Sequence, residues 1–494
     1  MSFRIAVIGD IHYKNISLDE CAKRRSAIAH ILLLRTVQRL NRYIKPDVTL
    51  ILGDLIDDPD SPSALEELQT LKSITDRLDS RLIVIPGNHD PDADVFYSVF
   101  DRPSSITDID DIRFVTFIDN EEPDSNASRS LADIKLMKSA RNGHAGPIIS
   151  LQHVPLFAPR SGPSPYSLTN AQEVWSAFDD NNCTLSISGH YHAGDNQVQN
   201  GTGKSIIVPA LCESPFSFVE IEMDGDAVST RQHQLSLPPE LKLIDYHVHT
   251  PFAYCQENMD PELTVQLADE FGLGGFVFTE HSGQLYFDLP TFWNAEFMQD
   301  GLATDHGHQD RLSDYFELAS HYCPPAYLGL ELDCDYSGKP VVRPEDMQKI
   351  QVRLASIHWL EELKKSEPDM DKASDEMLRR LSVMFEHGID ILAHPFRIFH
   401  GTKNKVPERL VDPLVRLLRE HNVAAEINFH NQITSEEFVI KCVESGVKLA
   451  FGSDSHNLYE VGEHYPHLQL MERCGYNNSD LPHILIQAPD ISES

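Results

Sequence analysis

Two apolar segments of this chain end in histidines and acids. Asp10 and His12 follow one segment near the beginning of the chain, and His247 and His249 end another near its middle. Alternate residues of a strand point to the same side, so each pair can face one point beyond its strand. Imidazole and carboxylate groups bind zinc, iron and manganese, and ions held in this way activate water for hydrolysis. The pattern predicts metal-dependent hydrolytic chemistry in each half of the chain.

Further polar residues of the first half also follow apolar segments. Open α/β sheets bring such strand ends to one edge, which is where their ligands lie. Two cations about 3.5–4 Å apart need a bridging carboxylate with flanking histidine, acid and amide ligands. Gly53, Gly87 and Gly189 allow the sharp turns that bring backbone close to a metal. The candidates are Gly53-Asp54, Gly87-Asn88-His89-Asp90, His153 and Gly189-His190-x-His192.

In this order, these residues resemble the calcineurin-like metallophosphoesterase family over residues 1 to about 234. The resemblance implies an α/β/β/α sandwich with a two-metal site bridged by Asp54. It also implies that His89, oriented by Asp90, is the acid or the transition-state stabiliser. Asp57 either orients a ligand histidine or is a loop acid. The implied ligands are Asp10, His12, Asp54 and His192 for one metal, and Asp54, Asn88, His153 and His190 for the other.

In the second half, apolar strand-like segments alternate with segments of helical periodicity. Each candidate ligand follows or ends an apolar segment, which is the arrangement of a barrel of parallel strands and helices. Helices are predicted over 261–271, 373–387, 408–420 and 435–444. The candidate ligands are His247, His249, His281, Glu331, His358, His394, Asp454 and His456.

These eight residues resemble the PHP (polymerase and histidinol phosphatase) family over residues 242 to about 475, and 327–333 and 355–358 are similar to its histidinol-phosphatase branch. The resemblance implies a distorted (β/α)7 barrel that holds two or three metals, with Glu331 as the bridge. Relatives place a further His or Asp after the HxH pair, where this chain offers Cys255 or Glu257. A Cys255 thiolate would favour zinc, and a buried structural cysteine is the alternative.

Two more features of the second half bear on substrate. The segment 286–311 is rich in aromatic and acidic residues and follows a ligand strand, so it could form a lid over the barrel mouth. Within it, His306 and His308 mimic a ligand pair, but no strand precedes them and a solvated loop is the favoured interpretation. Arg397, three residues after His394, could bind a substrate phosphate. An outward salt bridge is the alternative for Arg397.

The length of 494 residues exceeds what one hydrophobic core usually serves, so two domains are expected. Pro238-Pro239 marks a short, stiff linker. We therefore predict a metallophosphoesterase domain over 1–236, a linker over 237–241 and a PHP domain over 242–494. The predicted fold class is α/β, with the α/β/β/α sandwich followed by the distorted (β/α)7 barrel.

The formal net charge is −35, and both halves are acidic. Neither half offers the basic surface that sequence-independent nucleic-acid binding requires. No apolar run approaches the ~18 residues of a membrane helix, so we expect no membrane partner. The eight cysteines form no CxxC pair, which favours reduced thiols and a cytoplasmic location.

Together these patterns predict a metal-dependent phosphoric ester hydrolase with two centres. The first half would be a phosphodiesterase or phosphatase with two ions, and the second a phosphomonoesterase with two or three ions; Mn, Fe or Zn would serve. The substrates would be small phosphorylated metabolites or nucleotides. Because cleavage of a diester yields a monoester, the two centres could act consecutively, and independent activities are the alternative. A nuclease, or one active half with a regulatory PHP half, also stays open, and the sequence indicates no oligomeric state.

Overall fold

The structure is a computed structural model that describes residues 2–15, 23–156, 166–200, 203–225, 227–430 and 434–487. The chain divides into two compact units, Met1–Ser236 and Leu237–Ser494. The segment predicted as a linker belongs to the second unit by this division, and the Leu237 N–H donates to the Phe271 carbonyl. No helix among the described residues combines the length and the apolar character that crossing a bilayer requires.

The first unit is built from two large sheets, a two-stranded sheet and flanking helices. Its strands are β1 (Phe3–Ile8), β2 (Val48–Leu52), β3 (Arg81–Ile85), β4 (Ile106–Ile109), β5 (Ile112–Thr116), β6 (Asn120–Glu122), β7 (Asn126–Ser128), β8 (Ile148–Leu151), β9 (Leu185–Ser188), β10 (Asp195–Asn200), β11 (Gly203–Ile207), β12 (Ser217–Asp224) and β13 (Ala227–Gln234). Its helices are α1 (Ala29–Arg39), α2 (Ala64–Thr75), α3 (Ala93–Phe96), α4 (Leu131–Ser139) and α5 (Ala171–Asp180).

The two large sheets of this unit pack face to face. Their strand orders are β13-β12-β1-β2-β3 and β10-β11-β9-β8-β5-β4, and β6-β7 is the two-stranded sheet. Val7 and Leu50 of the first sheet share one core with Phe114 and Ile187 of the second. Helices α4 and α5 cover the second sheet in a separate apolar cluster that includes Phe178. Strand β2 is buried along its whole length, as expected for a parallel strand that is covered on both faces. The predicted α/β/β/α class is confirmed.

The second unit alternates strands with helices. Its strands are β14 (Ile244–Val248), β15 (Gly275–His281), β16 (Ala326–Leu332), β17 (Val352–Ala355), β18 (Ile391–Leu392), β19 (Ala424–Ile427) and β20 (Leu449–Phe451). Its helices are α6 (Pro261–Glu270), α7 (Ser282–Tyr286), α8 (Leu289–Trp293), α9 (Leu312–His321), α10 (Pro344–Met347), α11 (Met370–Phe385), α12 (Arg397–Gly401), α13 (Glu408–His421), α14 (Glu436–Glu444), α15 (Tyr465–Arg473) and α16 (Leu481–Ile484).

These seven strands form one parallel sheet in chain order, from β14 to β20. The two edges meet just beyond the strand ends, where Val248 pairs with Ser455. The His249 N–H donates to the Ser455 carbonyl, and the Asp454 N–H donates to the His247 carbonyl. These bonds nearly close the sheet, so the predicted (β/α)7 barrel is confirmed. They also bring the ligand-bearing ends of β14 and β20 side by side.

Two candidate metal centres

In the first unit, the ends of five strands place the predicted ligands around Asp54. One of its carboxylate oxygens, Oδ2, lies 3.5 Å from His12 Nε2 and 3.4 Å from His153 Nε2. Asp54 therefore stands between two groups of ligands, as a bridging carboxylate must. We call this set the N-terminal cluster; it comprises Asp10, His12, Asp54, Asn88, His153, His190 and His192.

Nitrogen atoms of the N-terminal cluster approach one another closely. His12 Nε2 and His192 Nε2 are 3.2 Å apart, and His153 Nε2 and His190 Nδ1 are 3.1 Å apart. His153 Nε2 also lies 3.1 Å from the Asn88 Oδ1 atom. Burial by itself would raise the pKa of Asp54, but His153 and His12 hold that pKa well below its usual range.

Hydrogen bonds on the far side of the imidazole rings fix which nitrogen faces the cluster. His153 Nδ1 donates to the Leu52 carbonyl (2.7 Å), and His190 Nε2 donates to the Ser125 carbonyl (2.9 Å). A carbonyl only accepts, so in a neutral ring the opposite nitrogen carries a lone pair. Those lone pairs converge on the cluster and would repel each other without a cation between them. The donor set of the N-terminal cluster therefore fits divalent metal ions.

Backbone strain is concentrated at the predicted ligands of both units. Positive φ angles occur at fifteen described residues other than glycine, and six of those are predicted ligands. Such conformations cost about 1–3 kcal/mol each and persist where the surrounding structure enforces them for function. A Cβ on Gly87 would lie 2.3 Å from Asp54 Oδ1, so this turn requires glycine. The six strained ligands are Asp10, His12, Asp54, His190, His394 and Asp454.

The prediction that Asp90 orients His89 is wrong. In the described structure Asp90 accepts the backbone N–H groups of Leu55, Ile56 and Gly87, so its oxygens hold two loops together. Burial and the nearby Asp54 raise the pKa of Asp90 to about 7. His89 is oriented instead by the Asp57 carbonyl, which accepts from its Nδ1 at 2.8 Å. Adjacent residues in a turn point apart, and this is why the neighbour in sequence is not the neighbour in space.

Asp57 contacts His12 as well, through its side chain. Its Oδ1 atom lies 3.3 Å from His12 Nδ1 and 2.6 Å from Arg24 Nη1. Burial alone would raise the pKa of Asp57, but the nearby His12 and the hydrogen bond from Arg24 lower it to about 2. Asp57 is thus ionised at neutral pH and holds the His12 ring with Nε2 toward Asp54. The interpretation of Asp57 as an orienting residue fits this geometry better than that of a loop acid.

We expect Asp57→Asn to weaken metal binding by the N-terminal cluster about 10–100-fold, because carboxylates behind ligand histidines typically contribute that much. Titration with a metal-competing chelator measures the effect. Asp60→Asn is the matched control, since Asp60 is exposed on the same loop. Equal metal affinities of the two variants would contradict the orienting role.

In the second unit, Glu331 contacts four histidines at the centre of the barrel mouth. Its Oε1 lies 2.7 Å from His394 Nε2 and 3.1 Å from His358 Nε2. Its Oε2 lies 2.6 Å from His281 Nδ1 and 3.4 Å from His247 Nε2. Burial by itself would raise the pKa of Glu331, but His281, His358 and His247 hold it well below its usual range. We call the set around it the barrel cluster: His247, His249, Cys255, His281, Glu331, His358, His394, Asp454 and His456.

Asp454 contacts two further histidine nitrogens of the barrel cluster. Its Oδ1 lies 3.1 Å from His249 Nε2 and 3.5 Å from His247 Nε2. Several buried atoms of the cluster lack the geometry of a hydrogen bond within the described structure, although the histidine nitrogens among them lie 2.6–3.4 Å from Glu331, so they have no directed partner. Divalent cations would supply that partner. The atoms are His247 Nε2, His281 Nδ1, His358 Nε2 and Glu331 Oε2.

Carboxylates behind the barrel histidines were missed by the sequence analysis. Glu426 accepts from His247 Nδ1 at 2.9 Å, and Glu280 accepts from His249 Nδ1 at 3.1 Å. Both acids lie inside fully buried strands. A charged residue in such a strand is almost always paired, and this signal could have identified them. Asp333 holds His358, and Glu213 holds His192 of the first unit, in the same way.

Cys255 reaches the barrel cluster and Glu257 does not. The Cys255 Sγ atom lies 3.1 Å from His456 Nε2 and 3.7 Å from His281 Nε2. The Glu257 carboxylate instead accepts from the Asn457 side chain at 2.8 Å. Burial raises the pKa of the Cys255 thiol to about 12. Of the two residues the sequence offered, the geometry favours Cys255 as a ligand.

We expect Cys255→Ser to lower the metal content of the barrel by roughly one ion per chain while the remaining ions stay bound, because the other ligands are independent of the thiol. Elemental analysis of the purified protein measures this. Cys323→Ser is the matched control, since the Cys323 thiol donates to the Ala319 carbonyl away from the cluster. Unchanged metal content in Cys255→Ser would return Cys255 to a structural role.

Arg397 begins α12 beside the barrel cluster. Its Nη1 donates to Asp454 Oδ2 at 2.9 Å, so its salt bridge points inward. It also lines a cavity of about 270 Å³ that is bordered by Cys255, His281 and His358.

His306 is 56% exposed and pairs with Glu296, and His308 bonds the Thr304 carbonyl. The contacts of His306 and His308 therefore agree with the interpretation of this segment as a solvated loop.

Comparisons with known proteins agree with this geometry. The calcineurin-like phosphoesterase family matches residues 3–194, and the PHP domain family matches residues 245–430. A curated protein from Acetivibrio thermocellus, described as a probable phosphatase, is 28% identical over 135 residues, which are 26% of this chain and 51% of that protein. This chain thus spans about half the length of the curated relative that it matches.

Two solved structures show weaker similarity. A dimetal phosphatase from Danio rerio is 16% identical, with a TM-score of 0.36 over 47% of this chain and 99% of that one. A purple acid phosphatase from yellow lupin is 10% identical, with a TM-score of 0.36 over 47% of this chain and 52% of that one. Similarities at this level carry no inference about activity.

The two family matches fall on different units and together include most of the predicted ligands. They support a phosphoesterase in general, and both families use divalent metals. The chain thus carries a calcineurin-like phosphoesterase domain over residues 3–194 and a PHP domain over residues 245–430.

Proposed function

We propose that this protein is a metal-dependent phosphoric ester hydrolase with two hydrolytic centres, one in each unit. The observation that carries the proposal is common to both units: a buried carboxylate, Asp54 or Glu331, stands between histidine nitrogens at the ends of parallel strands. Divalent cations bound there would supply an activated water and neutralise charge on the phosphoryl oxygens. The substrates would be small phosphorylated metabolites or nucleotides.

In the first unit, His89 is placed to transfer a proton. Its Nδ1–H donates to the Asp57 carbonyl, so Nε2 is the nitrogen that can exchange a proton with a substrate. The His89 backbone N–H donates to Asp54 Oδ1 at 2.8 Å, which fixes the residue beside the bridging carboxylate. Protonated His89 would donate to the leaving oxygen of the ester.

In the barrel, Arg397 is placed to bind phosphate. One of its five N–H groups is used by Asp454, and the side chain borders the cavity beside the cluster. The other N–H groups can take phosphate oxygens, which a planar guanidinium binds in pairs. Glu331 and Asp454 would hold metal ions that bind the same phosphate.

The two centres would act in sequence on one substrate. The first unit would open a phosphodiester, and the barrel would release phosphate from the resulting monoester. Calcineurin-like enzymes often cleave diesters and PHP phosphatases typically cleave monoesters, which supports this order. Two independent activities in one chain are the alternative.

The proposal is tested with a phosphatase and phosphodiesterase panel on metal-analysed protein. We expect hydrolysis of p-nitrophenyl phosphate and of bis(p-nitrophenyl) phosphate, loss of both activities with a chelator, and recovery with added Mn or Zn. If the metal-loaded protein hydrolyses neither ester, the proposal is wrong. Salt-dependent retention on DNA, together with cleavage of DNA, would favour a nuclease instead.

A further inference from the structure

The cavity beside the barrel cluster has a lining of two kinds. Part of the lining consists of the candidate metal ligands and the candidate phosphate-binding arginine: Cys255, His281, His358 and Arg397. The rest is largely aromatic and aliphatic. It includes Phe292, Trp293, Trp359, Ile357 and Ile398.

The aromatic part directly adjoins the histidines. The ring centroids of His281 and Phe292 are 5.9 Å apart, and those of His358 and Trp359 are 5.6 Å apart. A group that rests on these aromatic side chains would therefore lie within a few bonds of a phosphate held by the barrel cluster.

Phe292 contacts both tryptophans. It is 2% exposed, and its ring lies 5.2 Å from both Trp293 and Trp359, edge to face in each case. Phe297 stacks parallel to Phe292 and supports it. Trp359, which also meets Phe297 edge to face, is thus held by packing before any ligand arrives, which lowers the entropic cost of binding.

Trp293 is 49% exposed. It is the only aromatic residue among the large exposed hydrophobic side chains of the described chain. Exposed apolar surface beside convergent polar groups is typical of a ligand pocket. An exposed tryptophan at such a site can stack against an aromatic ring of the ligand.

The charges of the lining residues and the volume of the cavity restrict which ligands it can bind. The described lining contains the cationic Arg397 and no carboxylate, so a cationic group would find no ion-pair partner there. Gln284 and Thr402 are its uncharged polar residues. The volume of about 270 Å³ lies just below the usual range of about 300–1,000 Å³ for small-molecule sites. One ring with its phosphate fits this space.

We propose that the substrate of the barrel is a phosphomonoester whose leaving group carries an uncharged flat ring close to the phosphate. Trp293 and Trp359 bind the ring, and Arg397 and the cluster bind the phosphate. This inference rests on the proposed phosphomonoesterase function of the barrel. It adds the chemical class of the substrate.

The test compares two non-hydrolysable ligands, phenylphosphonate and methylphosphonate, by calorimetry on the metal-loaded full-length Asp54→Asn protein. This variant is expected to lower phosphonate binding at the N-terminal cluster. We expect phenylphosphonate to bind at least about tenfold more tightly, since aromatic stacking typically contributes that much. Trp293→Ala should remove most of this preference and leave methylphosphonate binding unchanged, and Trp293→Phe should retain part of it.

Leu289→Ala is the matched control, because Leu289 lies on the same helix α8 and is also 49% exposed but does not line the cavity. It should keep the full preference. Equal affinities for the two phosphonates, or a preference that survives Trp293→Ala, would overturn the inference. Hydrolysis of phenyl phosphate by the same protein is measured separately. If the protein prefers phenylphosphonate but does not hydrolyse phenyl phosphate, the proposed function is contradicted and the ring site is not.

Discussion

Asp54→Asn is expected to abolish hydrolysis by the first unit and to lower its bound metal. Asp54 Oδ2 lies within 3.5 Å of His12 Nε2 and His153 Nε2, so it is the carboxylate placed to touch both ions. An amide has no negative charge to offset two divalent cations, and leaving them buried without it costs several kcal/mol or more. Elemental analysis and phosphodiesterase rates on the same preparation measure both effects.

His89→Ala is the informative counterpart. His89 bonds the Asp57 carbonyl and is not expected to be a ligand. Its loss should leave metal content near the wild-type value and slow turnover about 10²–10⁴-fold, as for a lost general acid. If His89→Ala removed metal as severely as Asp54→Asn, the assignment of roles at this centre would be wrong.

Glu331→Gln is expected to stop phosphate release from a monoester. Glu331 contacts His247, His281, His358 and His394, so its charge holds most of the barrel cluster together. With a diester substrate, this variant should accumulate the monoester, because the first unit is unaffected. Phosphorus NMR resolves diester, monoester and free phosphate in one sample.

Glu345→Gln is a suitable control for that variant, since Glu345 is an exposed carboxylate of the same unit. It should convert the diester fully to phosphate. Release of free phosphate from the diester by Glu331→Gln at the wild-type rate would contradict consecutive action.

Ligands at strand ends were predictable because two local signals coincide. An apolar segment predicts a buried strand, and a polar residue just after it falls at the carboxyl edge of the sheet. His12, Asp54 and His394 were found in this way, and the structure places each beside its expected partners. The alternation of apolar and helical segments also predicted the barrel, whereas the α/β/β/α sandwich was implied by the resemblance to the calcineurin-like family.

Side-chain direction was not predictable from spacing. Asp90 follows His89 in sequence, yet it binds backbone N–H groups, while the Asp57 carbonyl orients His89. Arg397 and Asp454 are 57 residues apart and form a salt bridge that only the closed barrel creates. Contacts of this kind depend on tertiary packing, which local patterns do not encode.

The claim that one chain carries two separate hydrolytic centres is tested most directly by mixing the full-length Asp54→Asn and Glu331→Gln proteins. The measurement is phosphate released from a diester, followed by phosphorus NMR. Each variant alone should release none, and the mixture should restore release, because each protein supplies the centre that the other lacks. If the mixture releases no phosphate while the wild-type protein does, the two units do not carry independent centres.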